Sequence, residues 1–224
     1  MSDRLEIDVF WSFRSPWSYL ATPRLAAWKR DYLLDVRFRP VYPIAIRTPE
    51  FFANVHPLWF SYFMKDVFRV AEFLGLPFQW AHPDPVVQYP GEDGRPRTAG
   101  EQPHIHRLTR LGVLAEERGR GIEFAEQVAG VVWTTQGWDQ GTVLADATAR
   151  AGLDLEELDG AAEVEAERLE RVIAENEAAH AQGGHWGVPT MAFRGEPFFG
   201  QDRLDVLLWR LQQHGLTERP EARD

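Results

Sequence analysis

The start of the chain follows a strand–helix–strand pattern, which constrains the possible fold more than any other feature of the sequence. Residues 5–12 (LEIDVFWS) alternate apolar and polar side chains before an apolar end, which predicts a strand. Ser15 and Pro16 predict a helix start, because serine is a favoured N-cap and proline suits the first helical position. Residues 34–42 alternate again and predict a second strand. Two strands joined in this way are expected to be parallel, with a right-handed crossover.

The end of the chain returns to strand patterns in a different order. Residues 190–193 predict a short strand, residues 194–196 a tight turn and residues 197–199 a returning strand. A final amphipathic helix is predicted over about residues 201–213, ending at Gly215. A β-α-β half and a β-β-α half are the two halves of the thioredoxin fold.

The middle of the chain shows no convincing strand between residues 49 and 182. Repeated Pro and Gly predict an irregular loop over residues 82–103. Pro23, inside the first helix, is expected to kink or split that helix. Apolar spacing predicts helices at residues 57–75, 104–119, 121–136, 139–151 and 161–182.

These patterns together predict an α/β protein with a thioredoxin fold and a large all-helical insertion. The thioredoxin domain is expected to be discontinuous, formed by residues 1–48 and 183–216. Residues 49–182 are expected to form the helical insertion, and residues 217–224 a frayed tail.

Features that the sequence lacks exclude several classes of function. The chain contains no cysteine, so protein disulfides, a cysteine nucleophile, thiolate metal ligands and a dithiol redox cycle are excluded. The formal charge of −10 argues against binding to nucleic acids or anionic membranes, which require clustered Lys and Arg. The N-terminus has no signal-peptide pattern, and no apolar run approaches the ~18 residues that span a bilayer. We therefore expect a soluble, cytoplasmic protein.

The start of the first helix is the candidate site. Redox-active thioredoxin folds carry C-x-x-C at this strand-to-helix junction, where this chain has Ser15-Pro16-Trp17-Ser18, with hydroxyls in place of both sulfurs. The second half of the fold should open after a cis-proline. Pro189, in the run Gly187-Val188-Pro189-Thr190, stands directly before a predicted strand and is expected to be that residue.

Three segments of the chain resemble one known family. The run Phe10–Leu20 (FWSFRSPWSYL) resembles the opening motif of the 2-hydroxychromene-2-carboxylate isomerases and kappa-class glutathione transferases. Residues 187–190 together with 199–205 resemble their C-terminal signature, and residues 71–78 (AEFLGLPF) resemble their first insert helix. The resemblance covers most of the chain. It implies a thioredoxin fold with a DsbA-type helical insertion, glutathione as the cofactor and a homodimer.

The resemblance also implies roles for individual residues. Ser15 matches the serine whose hydroxyl hydrogen-bonds the glutathione sulfur. Val188, before Pro189, matches the residue whose backbone pairs with the cysteinyl part of glutathione. Gln201 and Asp202 match the pair that holds the γ-glutamyl group.

Further candidates come from the segments around these motifs. A family asparagine in the early insertion corresponds to Asn54, where residues 51–56 (FFANVH) replace the usual Gly-Asn-x-Pro-Pro stretch. His185 and Trp186 stand just ahead of the proline loop and are candidates for the substrate pocket, together with Trp17.

The physical chemistry of a helix N-terminus also favours a thiolate site. Unpaired N–H groups and about half a positive charge favour a thiolate over a thiol, which lowers a thiol pKa from about 8.5 to below 7 in redox relatives. A bound glutathione thiol would use that field, with the Ser15 hydroxyl as an additional donor. We expect a glutathione-dependent isomerase whose thiolate adds reversibly to a small hydrophobic electrophile, a conjugated aromatic carbonyl compound. A kappa-like transferase or peroxidase and a non-catalytic binding module remain alternatives.

Each candidate also has an ordinary structural explanation. Ser15 is a good helix start, and Asp202 suits the N-terminal dipole of the last helix. Ser18 is expected to pack or to face solvent. Arg14 could attract anions near the site, but a solvated arginine is the favoured interpretation. The aromatic-rich segment 57–68 is more typical of a core than of a pocket, and in an insertion that caps a site it could form both.

The histidines do not form a convincing metal-binding pattern. His104 and His106 lack a third ligand at suitable spacing, and His180 and His185 stand on either side of a Gly-Gly break. We therefore expect no metal site.

Overall fold

The computed structural model describes residues 4–92 and 96–220. Its elements are, in chain order, β1 (Leu5–Trp11), α1 (Pro16–Asp31), β2 (Leu34–Pro40), α2 (Ile44–Arg47), α3 (Phe51–Asn54), α4 (Pro57–Leu74), β3 (Gln88–Pro90), β4 (Pro96–Thr98), α5 (Pro103–Glu117), α6 (Gly121–Val132), α7 (Val143–Arg150), α8 (Leu155–Val164), α9 (Ala166–Gln182), β5 (Thr190–Phe193), β6 (Glu196–Phe199) and α10 (Leu204–Gln213). A short 3₁₀ helix, Gln201–Arg203, leads into α10. No helix among the described residues is long and apolar enough to cross a bilayer.

A four-stranded sheet brings together the two ends of the chain. Its strand order is β2-β1-β5-β6. β1 runs parallel to β2, with Val9 opposite Phe38, and antiparallel to β5, with Val9 opposite Met191. β5 pairs antiparallel with β6. This is the predicted thioredoxin arrangement of a β-α-β half beside a β-β-α half, so the predicted fold is confirmed.

Burial along β1 and β2 shows why these residues form strands. Burial alternates along β2, and along β1 it alternates until the strand ends in a continuously buried run, Val9–Trp11. The indole N–H of Trp11 donates to Thr22 Oγ1 at 2.9 Å and to the Ser18 carbonyl at 3.1 Å, and this fixes α1 against the end of β1. The start of α1 is therefore held at the carboxyl end of β1, an inner strand of the sheet.

Helix α1 is continuous through Pro23. The expected split is wrong, because a proline inside a helix removes only one backbone hydrogen bond and the buried side chains on either side, Leu20 and Leu25, keep both halves packed on the core.

The helical segment predicted at residues 161–182 is two helices, α8 and α9, which meet at Glu165. The Asp154 carboxylate caps α8 by accepting from the Glu157 N–H at 2.9 Å. Leu158 in α8 and Leu169 in α9 are both buried, so the apolar spacing continues across the break and the sequence pattern does not reveal it. Helices α6 and α7 are also shorter than predicted, ending at Val132 and starting at Val143.

The prediction that residues 49–182 contain no strand is wrong. β3 and β4 form a small antiparallel sheet inside the expected loop 82–103. The Gln102 side chain supports it by accepting from the Val87 N–H at 2.8 Å and donating to the Val87 carbonyl at 2.9 Å. Three-residue strands flanked by prolines carry too few side chains for an alternation to be recognised.

The expected frayed tail is wrong for residues 217–219. The Thr217 carbonyl accepts from the Leu33 N–H at 2.8 Å, and the Arg219 N–H donates to the Asp31 carbonyl at 2.7 Å. This segment therefore closes the turn between α1 and β2. Residues 221–224 lie outside the described residues.

Candidate functional site

The N-terminus of α1 meets the loop before β5 at Ser15. The Ser15 hydroxyl accepts from the Ser18 N–H at 3.1 Å, as a helix N-cap does, and donates to the Val188 carbonyl at 3.1 Å. The two halves of the thioredoxin domain are thus joined by one side chain. Ser15 is 9% exposed and faces a cavity.

The loop that faces Ser15 is held in place from several sides. The Val188–Pro189 peptide bond is cis, as predicted. The Gly187 carbonyl accepts from Thr190 Oγ1 at 2.6 Å and lies 2.9 Å from His180 Nε2. Burial lowers the pKa of His180 to about 4, so this imidazole is neutral near pH 7 and donates to the carbonyl. The loop therefore presents its backbone to the cavity in a fixed orientation.

Two backbone amides beside Ser15 have no acceptor. Within the described part of the chain, neither the Trp17 N–H nor the Val188 N–H donates a hydrogen bond. Pro16, between Ser15 and Trp17, has no N–H at all. The first turn of α1 and the proline loop thus expose two donors and the positive end of the helix dipole at one place.

A cavity of about 370 Å³ opens at this place. Ser15, Trp17, Trp186 and Val188 all line it, so the structure brings these four predicted residues together. Five aromatic side chains that line the cavity form an aromatic wall: Phe51, Phe52, Trp59, Phe63 and Trp186.

The rings of the aromatic wall contact one another. Trp59 stacks on Phe63 with ring centroids 5.1 Å apart and planes 7° apart, and Phe51 packs on Trp186 at 5.0 Å. Trp17 meets Phe63 edge-on at 5.9 Å. Of the two alternatives for residues 57–68, the combined one holds for Trp59 and Phe63, which pack on other rings and also line the cavity. Their helical spacing is the same in either case, so the sequence pattern could not separate the two.

Arg14 also lines the cavity, and its guanidinium forms an ion pair within the protein. It pairs with Asp84 through two hydrogen bonds of 2.9 Å and also donates to Gln88 Oε1 at 2.8 Å. The Arg14 side chain is 20% exposed, so the expectation of a solvated arginine is wrong. The acidic partner comes from the insertion, far away in the sequence, and no local pattern predicts it.

Arg47, at the end of α2, is a cavity residue that the sequence analysis did not identify. Its Nε donates to the Tyr42 carbonyl at 2.7 Å and its Nη2 donates to the Trp186 carbonyl at 2.9 Å. Burial lowers the pKa of Arg47, and the charge of Glu177 acts in the opposite direction. In the sequence Arg47 is a single arginine after an apolar run, and this pattern is too common to predict a cavity residue.

His185 packs against residues that line the cavity. Its ring stacks on Phe199 with centroids 3.8 Å apart and on Trp186 at 5.4 Å. Its Nδ1 accepts from the Gly187 N–H at 2.9 Å, and burial lowers the pKa of His185. The structure places His185 in contact with the wall and the loop, rather than on the cavity surface.

Gln201, Asp202 and Asn54 also lie away from the cavity surface. Gln201 and Asp202 occupy the 3₁₀ helix before α10, and Asp202 is exposed and pairs with the neighbouring Arg203 at 2.8 Å. Asn54 is exposed and donates to the Glu50 carbonyl of its own helix at 3.2 Å. The 3₁₀ helix packs against α1, so Asp202 stands near the helix that carries Ser15, whereas Asn54 points back onto α3.

The histidine pair of the insertion is engaged with aromatic rings. His104 packs edge-on against Trp138 at 5.3 Å, and His106 packs on Tyr42 at 4.9 Å. Within residues 4–92 and 96–220, no group of three or more His, Asp or Glu side chains is arranged to hold a metal ion.

Comparisons with known proteins place this geometry in context. A family model described as a DsbA-like thioredoxin domain matches residues 6–212. A solved 2-hydroxychromene-2-carboxylate isomerase is 21% identical, with a TM-score of 0.69 over 94% of this chain and 96% of that chain. The cytosolic disulfide reductase DsbM from Pseudomonas aeruginosa, solved also with GSH, is 22% identical, with a TM-score of 0.59 over 93% of this chain and 100% of that chain. A probable DsbA oxidoreductase from Streptomyces coelicolor is 19% identical, with a TM-score of 0.63 over 98% of this chain and 94% of that chain.

These likenesses show the fold. A search of the curated proteins found no match to this chain.

Proposed function

Since the chain belongs to the DsbA-like thioredoxin-domain family, we propose that it is a glutathione-dependent isomerase of the 2-hydroxychromene-2-carboxylate type. Enzymes of this fold include an isomerase of that name and disulfide reductases. Disulfide exchange by this chain is excluded, because it contains no cysteine. The remaining chemistry for this family's site is that of a bound thiol.

The observation that carries the proposal is the donor set around Ser15. The Trp17 and Val188 N–H groups have no acceptor in the described residues, and both residues line the cavity that Ser15 faces, at the positive end of α1. Backbone donors and a helix dipole favour a negative charge at this point. A thiolate is the anion that redox-active thioredoxin folds hold at such a helix N-terminus. A glutathione thiolate would accept from the Trp17 N–H and the Ser15 hydroxyl, which leaves the Val188 N–H for the peptide backbone of glutathione.

The Ser15 hydroxyl has one proton to donate, and it points to the Val188 carbonyl at 3.1 Å. To serve a sulfur anion it must rotate about its C–O bond, which costs little for a hydroxyl. The bond that it accepts from the Ser18 N–H is unaffected by this rotation. Ser15 therefore acts as a donor that stabilises the anion, and it does not become a nucleophile.

The residues present fit glutathione. The unpaired Val188 N–H lies beside a fixed cis-proline loop and would receive the cysteinyl backbone in a strand-like manner. Asp202 is exposed at the start of the last helix, where its carboxylate would meet the γ-glutamyl ammonium. When bound, glutathione would supply the thiolate that adds to a conjugated electrophile and later leaves.

The aromatic wall supports an aromatic electrophile as the second ligand. A cavity of about 370 Å³ lined by stacked rings suits a flat, apolar body. An aromatic ligand bound there would displace water from the site, which would strengthen each hydrogen bond to the anion. A kappa-like transfer reaction would use the same cavity and the same Ser15, and a binding module would require neither ionisation of a thiol nor turnover.

The test is the ionisation of bound glutathione. We expect the bound thiol to ionise below its free pKa in the wild type, seen as thiolate absorbance in the ultraviolet during a pH titration. In Ser15→Ala the loss of a charge-assisted hydrogen bond should raise the pKa of the bound thiol by about 1 to 2. Turnover should fall more than glutathione affinity, because the backbone contact at Val188 survives.

Ser18→Ala is the matched control. The Ser18 hydroxyl is buried in the same turn, and it has no hydrogen-bond partner in the described residues. Its removal should leave the thiol pKa unchanged. An unshifted thiol in the wild type, or equal ionisation in wild type and Ser15→Ala, would contradict the proposed role of Ser15.

A further inference from the structure

Arg47 makes no direct ion pair with a side chain of the described residues. Two arginines line the cavity, and only Arg14 is paired, with Asp84. Arg47 forms no ion pair within the part of the chain that the structure describes; its two recorded partners are backbone carbonyls. The Glu177 carboxylate acts on Arg47 through its charge but forms no direct hydrogen bond to it; its hydrogen bond is to the Tyr42 N–H, at 3.1 Å.

The orientation of the Arg47 guanidinium is fixed. Nε and Nη2 are held by the Tyr42 and Trp186 carbonyls, at 2.7 and 2.9 Å. A guanidinium has five N–H groups, so both N–H groups of Nη1 remain without a partner among the described residues. The two carbonyls belong to the segment after β2 and to the loop before β5. They fix the orientation of the side chain, but as uncharged groups they do not neutralise it.

An anion that binds beside Arg47 would stabilise its charge. Placing a charge in apolar surroundings is costly unless it is paired and hydrogen-bonded. Arg47 lies beside rings of the aromatic wall, including Phe51 and Trp186, and burial lowers its pKa. A carboxylate that enters the cavity would complete the pair that the protein leaves open, and a guanidinium suits a carboxylate better than an ammonium does.

We propose that Arg47 is the carboxylate-binding residue of the cavity and makes it selective for ligands that carry a carboxylate. This inference rests on the proposed function, because it takes the cavity beside Ser15 as the reaction site. The carboxylate has two possible sources, the glycyl end of glutathione and the electrophilic substrate itself.

The experiment compares matched ligand pairs on four proteins. The first pair is 2-naphthoate and 2-naphthamide, and the second is glutathione and its glycyl monoethyl ester; each pair differs only in the carboxylate. The proteins are the wild type, Arg47→Gln, Arg47→Lys and Arg171→Gln. Arg171 is exposed on α9, so its variant makes the same change of net charge outside the cavity. Dissociation constants are measured by calorimetry.

We expect Arg47→Gln to weaken one of the two carboxylate ligands about tenfold or more, while its neutral partner binds as before. Arg47→Lys should restore part of the preference, since it keeps the charge but lacks the planar fork. Loss confined to 2-naphthoate identifies the substrate carboxylate, and loss confined to glutathione identifies the glycyl end.

Equal losses within both pairs, or no loss in either, overturn the proposal, since Arg47 would then only shape the cavity or do nothing. The same result in Arg171→Gln would also overturn it, because net charge alone would explain the preference. If the wild type fails to bind glutathione, the proposed function fails while the naphthoate pair still decides the role of Arg47.

Discussion

The loop that faces Ser15 depends on one buried histidine. His180 is 1% exposed, stacks on Phe10 at 4.8 Å and lies 2.9 Å from the Gly187 carbonyl. Burial is the main cause that lowers its pKa from 6.5 to about 4, and the positive charge of Arg47 adds to it. A protonated His180 would therefore be a second uncompensated cation beneath the loop.

Acid should destabilise the protein through His180. Between pH 6.5 and about 4 the unfolded chain binds a proton at this residue and the folded chain does not. The stabilisation is thus fully present above pH 6.5 and is lost as the pH falls through about 4, an effect of roughly 2 to 3 kcal/mol. The measurement is the difference in the free energy of unfolding between wild type and His180→Gln, followed by urea denaturation across this range.

The difference in the free energy of unfolding between wild type and His180→Gln cancels the pH dependence that other titrating groups contribute to both proteins. Glu116, for example, has its pKa raised by burial to about 7, so its stabilising contribution is lost as the pH rises through that value, opposite to His180. A difference between wild type and His180→Gln that does not change with pH would show that His180 is not buried as a neutral group.

At the scale of elements, the start of α6 packs unusually close to β2. Gly121 is buried, and a Cβ atom added there would lie 2.8 Å from the Phe38 Cβ and 3.0 Å from the Glu116 Cβ. Neither atom is the far end of a flexible side chain, so the helix itself would have to move. Gly130, in the same helix, has no atom within 4 Å of such a Cβ.

These two glycines allow a matched comparison within one helix. Gly121→Ala should destabilise the protein by about 1 to 3 kcal/mol, because overpacking shifts α6 away from β2. Gly130→Ala should stabilise it by about 0.5 to 1 kcal/mol, since alanine loses less entropy in a helix. Urea denaturation measures both, and equal effects of the same sign would show that the close approach at Gly121 is not real.

At the scale of the whole molecule, Tyr42 joins the sheet to the insertion. Its hydroxyl donates to the Glu170 carboxylate on α9 at 2.8 Å, and Arg110 on α5 pairs with the same carboxylate at 2.7 Å. Asn176 Nδ2 donates to the Pro40 carbonyl at 3.1 Å and adds a second link between α9 and the end of β2. The segment that leads from β2 to Arg47 is therefore anchored on the insertion.

Removing the Tyr42 hydroxyl should weaken this link. Tyr42→Phe should lower the free energy of unfolding by about 1 to 3 kcal/mol, since the lost hydrogen bond goes to a charged acceptor. Tyr89→Phe is the control, because Tyr89 is 55% exposed and a surface change costs within about 0.5 kcal/mol. Thermal and urea unfolding measure both, and indistinguishable variants would argue against the link.

Much of the fold could be predicted because it is encoded locally. The alternation in β1 and β2, the Ser15-Pro16 helix start and the strand after Pro189 are patterns of neighbouring residues. The short β3–β4 pair and the break at Glu165 could not be predicted. The first has too few residues for a period to show, and the second lies within an apolar spacing that continues across it.

The sequence by itself determined the thioredoxin arrangement, the position of Ser15 at a helix N-terminus and the absence of protein thiol chemistry, because each depends on residue types at short spacing. Only the tertiary structure decided what surrounds Ser15. The partner of Arg14, the unpaired charge of Arg47 and the cavity role of Trp59 depend on contacts between residues far apart in the chain. Helical spacing places a side chain on a face, but only the element packed against that face decides whether it lines a core or a cavity.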